Sequence, residues 1–231
     1  MNRAVLWLLD LLYPNTCDCC GVRIPFDASV CENCRAELSL LKIANHAWYS
    51  HEPSDTVYPW DGLVTVYHYD KAARKGVLAL KDGHRGFLAL AAEELSARIT
   101  ETFADAQIDC VTFVPVTKKR RRRQGFSHGE LLAKAIGKRI AVRVRGDLLC
   151  ENGMKLRQHQ LTAAERKIYA ERFSHTGRDL SGQTVLLCDD ILTTGSTLMR
   201  CTHLLKECGA KRVLIAVCAC RFGDEESAKT S

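Results

Sequence analysis

The chain has 231 residues, 46% of them apolar and 26% charged, which fits one main globular domain with a small appendage and excludes disorder along its whole length. Its net charge of +6 admits an anionic ligand or nucleic acid as partner without deciding between them. The longest N-terminal apolar stretch, residues 4–13, is interrupted by Asp10 and is too short for a membrane span.

In chain order, Leu6, Leu9 and Leu12 recur at helical spacing and predict a short amphipathic helix. A signal peptide is disfavoured, because its basic end would carry Arg3 alone and Pro14-Asn15-Thr16 before Cys17 makes a poor cleavage or lipid-attachment site. Two Cys-x-x-Cys knuckles follow, Cys17 with Cys20 and Cys31 with Cys34. Four thiolates complete a tetrahedral zinc shell and leave no open position, so the zinc is expected to be structural. A segment this small cannot build its own core, and the metal would supply most of its folding energy. Cys19 could replace Cys17 or Cys20, although Cys-x-x-Cys spacing favours the outer pair, and a redox or disulfide pair is the alternative to zinc. The other seven of the 12 cysteines sit mostly within apolar runs, where a thiol is core filler, the usage of a reducing cytoplasm. These features set an N-terminal helix and a four-cysteine zinc-binding module over residues 1–45 and a linker, with Pro53 and Pro59, over residues 46–60.

The main domain is placed at residues 61–222, followed by a loose polar tail at 223–231. Residues 63–67 read as a strand, 71–81 as a helix broken by Asp82-Gly83-His84-Arg85-Gly86, and 87–103 as a second helix. Residues 110–116 read as a buried strand feeding a loop of six consecutive cations, Lys118, Lys119, Arg120, Arg121, Arg122 and Arg123. Such a run repels itself unless an anion lies near, although a solvated loop is the plainer explanation. Ser127 with Glu130 three residues later forms a capping box for a helix bearing Leu131, Leu132, Ala135 and Ile136. A short strand is expected over 143–149 and a helix, capped by Thr162, over 162–170.

Strands over 184–188 and 213–219 bracket a helix from Ser196 to Cys208 that stops at Gly209. The first strand ends at Asp189-Asp190, and three residues after Asp190 comes the small-residue loop Thr193-Thr194-Gly195-Ser196-Thr197. Carboxylates suit sugar hydroxyls, and a loop opening a helix suits a phosphate. Each piece alone is ordinary, a strand end and a turn. The alternation of strands and helices predicts an α/β fold, a mostly parallel sheet with helices on both faces, plus the zinc-ribbon-like module. Ligands in such sheets bind beyond the carboxyl ends of strands, where the acidic pair and the basic run both belong.

In order, residues 185–197 resemble the phosphoribosyl-pyrophosphate (PRPP) signature of type I phosphoribosyltransferases, with Cys188 where an aliphatic residue is usual. Together with the cysteine module, Leu80-Lys81-Asp82-Gly83, Val114-Pro115-Val116 leading to Gln124-Gly125-Phe126, and Gln158 and Leu161 with Arg166 beyond, nearly the whole chain resembles the ComF family of competence-associated, amidophosphoribosyltransferase-like proteins. It has Gln124-Gly125-Phe126-Ser127-His128 where the family commonly has Arg-Gly-Phe-Asn-Gln, carries Thr117 where a second Pro is usual, and has a slightly shorter basic loop.

The resemblance implies a site in which Asp189 and Asp190 take the ribose hydroxyls and Thr193, Thr194, Gly195, Ser196 and Thr197 cradle the 5-phosphate. Lys81 with Arg120, Arg121, Arg122 and Arg123 would bind pyrophosphate, and Mg²⁺ would enter with PRPP. No general base stands out; His84, His128 and His159 are candidates. The implied function is a phosphoribosyltransferase with an unknown acceptor, supporting DNA uptake in natural competence from the cytoplasm. The alternative is an accessory protein that grips single-stranded DNA or serves a competence helicase and keeps a non-catalytic ribose-phosphate sensor. Single-strand grip calls for aromatic stacking, and Phe126 is the one aromatic beside the basic run.

Overall fold

The computed structural model describes residues 15–43, 58–152 and 172–221. The helices expected over 6–12 and 162–170, most of the linker, His159 and the C-terminal tail lie outside the described residues.

The cysteine module is a small hairpin followed by a helix. Strands β1 (Asn15–Thr16) and β2 (Arg23–Ile24) pair antiparallel, and the first knuckle makes the turn between them. Gly21, at φ 75°, lets the chain reverse so that its N–H donates to the Cys17 carbonyl. Helix α1 (Glu32–Leu40) starts at Cys31, whose Sγ accepts from the Cys34 N–H and caps it. Leu38, on the buried side of α1, joins the core of the main domain.

That domain is built on four parallel strands. In chain order, β3 (Gly62–His68) is followed by α2 (Lys71–Lys81), α3 (Gly86–Thr102), β4 (Cys110–Phe113), α4 (Lys118–Gln124) and α5 (His128–Arg139). The antiparallel hairpin β5 (Leu149–Glu151) and β6 (Phe173–His175) comes next, then β7 (Thr184–Leu192), α6 (Ser196–Glu207) and β8 (Arg212–Cys220). The sheet order is β3-β8-β7-β4, with every neighbouring pair parallel.

Side chains alternate faces along a strand, and both faces are apolar here. Val64, Val66, Leu186, Cys188, Leu214, Ala216 and Cys218 pack with α1, α2, α3 and α5. Leu63, Val185, Leu187, Val213, Ile215 and Val217 pack with α6 and the β5–β6 hairpin. A continuous apolar run in sequence is what a sheet covered on both sides requires. The expected α/β fold with a parallel sheet and helices on both faces is therefore the observed one.

Several local expectations change. The six-cation run is a helix, not a loop: Thr117 Oγ1 accepts from the Arg120 N–H at one end, and Gly125, at φ 76°, ends the helix in the left-handed conformation at the other. Strand β7 does not stop before the carboxylates but runs on to Leu192, because the equally long β8 pairs with it as far as Leu192–Cys220. The strand expected over 143–149 reduces to a single parallel bridge, Val144 to Val111, with regular pairing delayed to Leu149. The end of the segment read as linker is core: Trp60 is buried, with Tyr58 stacked on it at 4.4 Å.

Candidate active site

Strands β4 and β7 separate at the pair Phe113–Cys188. Beyond it the chain leaves β4 through Val114-Pro115-Val116 and enters α4, while β7 continues beside β8. The divergence opens a cleft at the carboxyl edge of the sheet, lined by Asp189, Asp190, Lys81, Arg120, Thr197, residues 114–116, Ser127, His128, Gly129, Glu151, Arg172 and Phe173. Each reaches the cleft by a different route through the fold.

Asp189 and Asp190 sit in the β7 extension. Asp189 Oδ1 accepts from the Asp190 N–H at 2.9 Å. Burial pushes the Asp189 carboxyl well above the usual carboxylate range, and the adjacent Asp190 charge pushes it further. Lys81, the last residue of α2, brings its Nζ to 3.7 Å from Asp190 Oδ2. Gly83, at φ 99°, makes the turn just beyond it.

The four arginines of α4 separate. Arg120 lines the cleft. Arg121 is drawn the other way, its Nη2 lying 2.9 Å from Glu130 Oε2 on α5, where Lys134 also pairs at 2.8 Å. Arg122 is exposed, and the Arg123 side chain is outside the described set. Glu130 is thus the counter-charge that lets a cationic segment fold as a helix.

The small-residue loop follows β7 directly. Gly195, at φ 74°, is the N-cap of α6, and no side chain caps that helix end. Thr194 Oγ1 and Ser196 Oγ share a hydrogen bond of 2.9 Å, and Thr197 faces the cleft. A Cβ on Gly195 would lie 3.3 Å from the Trp60 ring, so the loop packs closely on the core behind it. The first-turn N–H groups of a 12-residue helix have no partners within the helix itself.

On the far side of the cleft stand residues that local sequence patterns do not single out. Glu151 on β5, almost fully buried, forms an ion pair with Arg172, and the Arg172 guanidinium lies 5.1 Å from the Phe173 ring centre. Antiparallel pairing of Glu151 with Phe173 joins these positions across about twenty residues of intervening chain. His128, named in the sequence among three equal histidines, lines the cleft, and His84 does not among the described residues.

The cysteine cluster lies elsewhere, against α3. The Sγ atoms of Cys17, Cys20, Cys31 and Cys34 all lie within 4.8 Å of one another, with Cys20 and Cys31 at 3.6 Å. A tetrahedral zinc–thiolate shell asks for sulfur separations of about 3.8 Å, so the four can hold a metal. Burial acts to raise the Cys17 thiol, but hydrogen bonds from the Cys31, Cys19 and Cys20 backbone outweigh it and lower the pKa to about 7. Cys19 stands outside the cluster, buried in the core, where desolvation raises it to about 12.

The model of the phosphoribosyl transferase domain family matches residues 89–230, which include β4, the α4–α5 corner, β7 with its acidic pair, and α6. The chain belongs to the phosphoribosyl transferase domain family. The "DNA utilization protein YhgH" of Escherichia coli (strain K12) is 27% identical over 216 residues, spanning 89% of each chain. Among solved structures, an adenine phosphoribosyltransferase aligns over 86% of this chain and 95% of its own, at 16% identity and a TM-score of 0.45. The glutamine PRPP amidotransferase of B. subtilis aligns over 57% of this chain and 26% of its own, at 20% identity and a TM-score of 0.40. As a phosphoribosyl transferase domain, the chain presents carboxyls, three cations (Lys81, Arg120 and Arg172) and a helix N-terminus at one sheet edge, the groups suited to a sugar bearing phosphates.

Proposed function

We propose that the cleft binds PRPP and that the protein transfers its ribose 5-phosphate to an acceptor in the service of DNA utilisation. One observation carries the reading. Asp189 and Asp190, Lys81, Arg120 and the start of α6 come from distant parts of the chain and meet at the carboxyl edge of β7. Thr193 to Thr197 would receive the 5-phosphate on the open end of α6, where the helix dipole adds about 0.3–1 kcal/mol at an exposed site. The two carboxyls would take the ribose hydroxyls and oppose positive charge developing at the anomeric carbon. Lys81 and Arg120 would hold the pyrophosphate, the first as a point charge and the second as a fork.

The acidic pair would repel bare phosphate charge, so the cleft suits a metal–phosphate complex better than a free anion. Mg²⁺ entering with PRPP would supply that neutralisation. The thiolates of Cys17, Cys20, Cys31 and Cys34 would hold a structural zinc, a role their convergence and the absence of an open ligand position support.

Calorimetry with PRPP and Mg²⁺ tests the site. Wild type should bind, and the double variant Asp189→Asn/Asp190→Asn should bind at least about tenfold more weakly, the loss of about 1.4 kcal/mol expected when charge-assisted hydrogen bonds to the ribose weaken. A wild type that gives no heat and releases no pyrophosphate with any acceptor would refute the reading.

A second reading, single-stranded DNA handling, is favoured by the outward face of α4, where Lys118, Lys119 and Arg122 are exposed. The name of the E. coli relative points the same way.

A further inference from the structure

We propose that His128 is a direct contact for the pyrophosphate group, its Nε2 taking a proton from solution as the anion enters and donating it to a phosphate oxygen. The inference deepens the PRPP reading and rests on it.

His128 is the first residue of α5, and its side chain faces the cleft with Lys81, Arg120 and Asp190. The residue is 4% exposed, and its Nε2 is a buried polar atom with no hydrogen-bond partner among the described residues. Burying a nitrogen without a partner is unfavourable, and the opening beside it is the place where a partner would enter. The ring is held in place. Phe126 meets it edge-on at 5.6 Å, and Phe126 in turn lies beside Gly83 in the turn after Lys81. Gly129 lets the first turn of α5 close on the strand ends, since a Cβ there would lie 3.3 Å from the Cys188 carbonyl oxygen.

A hydrogen bond to the Lys81 backbone holds the ring, and Nε2 is left without a partner at the cleft. Burial first, and then the charges of Arg120 on α4 and Lys81 on α2, hold the ring below the ordinary imidazole value. Asp190 on β7 and the backbone hydrogen bond pull the other way. On its own helix, Glu130 is occupied by Arg121 and Lys134; across the cleft Glu151 of β5 pairs with Arg172, and Asp189 neighbours Asp190 on β7.

A pyrophosphate seated between Lys81 and Arg120 reverses this balance. It offsets the two cations and places negative oxygens beside the ring, which favours the protonated imidazolium. One proton passes from solvent to Nε2, and no bond in the ligand is made or broken. The sign follows: binding takes up a proton, so affinity falls as pH rises.

The test titrates Mg²⁺-pyrophosphate, and separately PRPP, into the full-length protein in buffers of different ionisation enthalpy, for wild type and His128→Gln. The Gln amide is of similar reach and donates without titrating, and comparing the two proteins cancels the ligand's own protonation. Wild type should take up as much as about one proton more than His128→Gln. Between about pH 6 and pH 8, on either side of the ordinary imidazole value, its affinity should fall more steeply than that of the variant. Equal proton balances and parallel pH profiles would overturn the role of His128 while leaving the binding site standing. A wild type that binds neither ligand would take the site reading down with it. Should the variant fold poorly, imidazole NMR of wild type decides alone. One buried histidine must move from the neutral to the protonated signature on adding pyrophosphate, and an unmoved spectrum in a saturated sample refutes the proposal.

Discussion

Gly195 couples the phosphate loop to the core at a single position. Its φ of 74° lies in the region that costs an L-residue roughly 1–2 kcal/mol, and a Cβ there would press on Trp60, which is itself buried against the second face of the sheet. Gly195→Val should therefore lower stability by about 2–3 kcal/mol in urea unfolding, the branched side chain adding crowding to strain. It should weaken PRPP binding even below the melting range, because relief of the strain would turn the first N–H groups of α6 away from the phosphate. Unchanged stability would mean that the loop relaxes without cost. At this scale much was legible in the sequence. Asp189, Asp190 and the Thr-Thr-Gly-Ser-Thr loop are contiguous, so their chemistry shows in a single window. Glu151 and Arg172 escaped because a strand pairing, and not a local repeat, brings them together.

Between elements, the cysteine module holds the corner that follows Lys81. Helix α3 has no cap of its own, since Arg85 at its N-cap makes no side-chain hydrogen bond. Asp18, lying between the knuckle residues Cys17 and Cys20, supplies the cap from outside: its Oδ2 accepts the Phe87 N–H at 2.7 Å. His84 lies 3.6 Å from its Oδ1, and Gly86 passes so close to the Ser29 carbonyl that a Cβ would approach to 2.4 Å. Asp18→Ala should cost about 0.5–2 kcal/mol, the usual value of a helix cap, with zinc content unchanged. Stripping the proposed zinc with a chelator should release the whole corner and weaken PRPP binding through Lys81, more than Asp18→Ala does. Full PRPP affinity in metal-free protein would show that the two halves are independent. The module could be read from its cysteine spacing, but its docking could not, because Asp18 looks like any exposed turn residue until the fold places α3 over it. The basic run was misread for a related reason. Six like charges disfavour an isolated helix, and the carboxylate that steadies α4 belongs to Glu130, on the next helix.

The whole molecule carries +6, and α4 spreads its cations over two sides. Arg120 faces the cleft, while Lys118 and Lys119 are exposed on its outer side. If PRPP chemistry and DNA contact coexist, they should separate along this helix. Single-strand affinity falls with salt in proportion to the phosphates contacted, about 0.7 in log–log slope for each. Lys118→Ser/Lys119→Ser should thus reduce the slope for an oligothymidylate by up to about 1.4. Its PRPP affinity, measured in the same buffer, should stay at the wild-type value, because neither lysine lines the cleft. Wild-type binding to DNA that ignores salt, or a slope that the double variant leaves intact, would remove α4 from any role in nucleic-acid contact. A fall in PRPP affinity would instead mean that the outer lysines feed the cleft electrostatically. In that event DNA phosphates and PRPP compete for one cationic helix, and adding the oligonucleotide should displace PRPP from the wild-type protein.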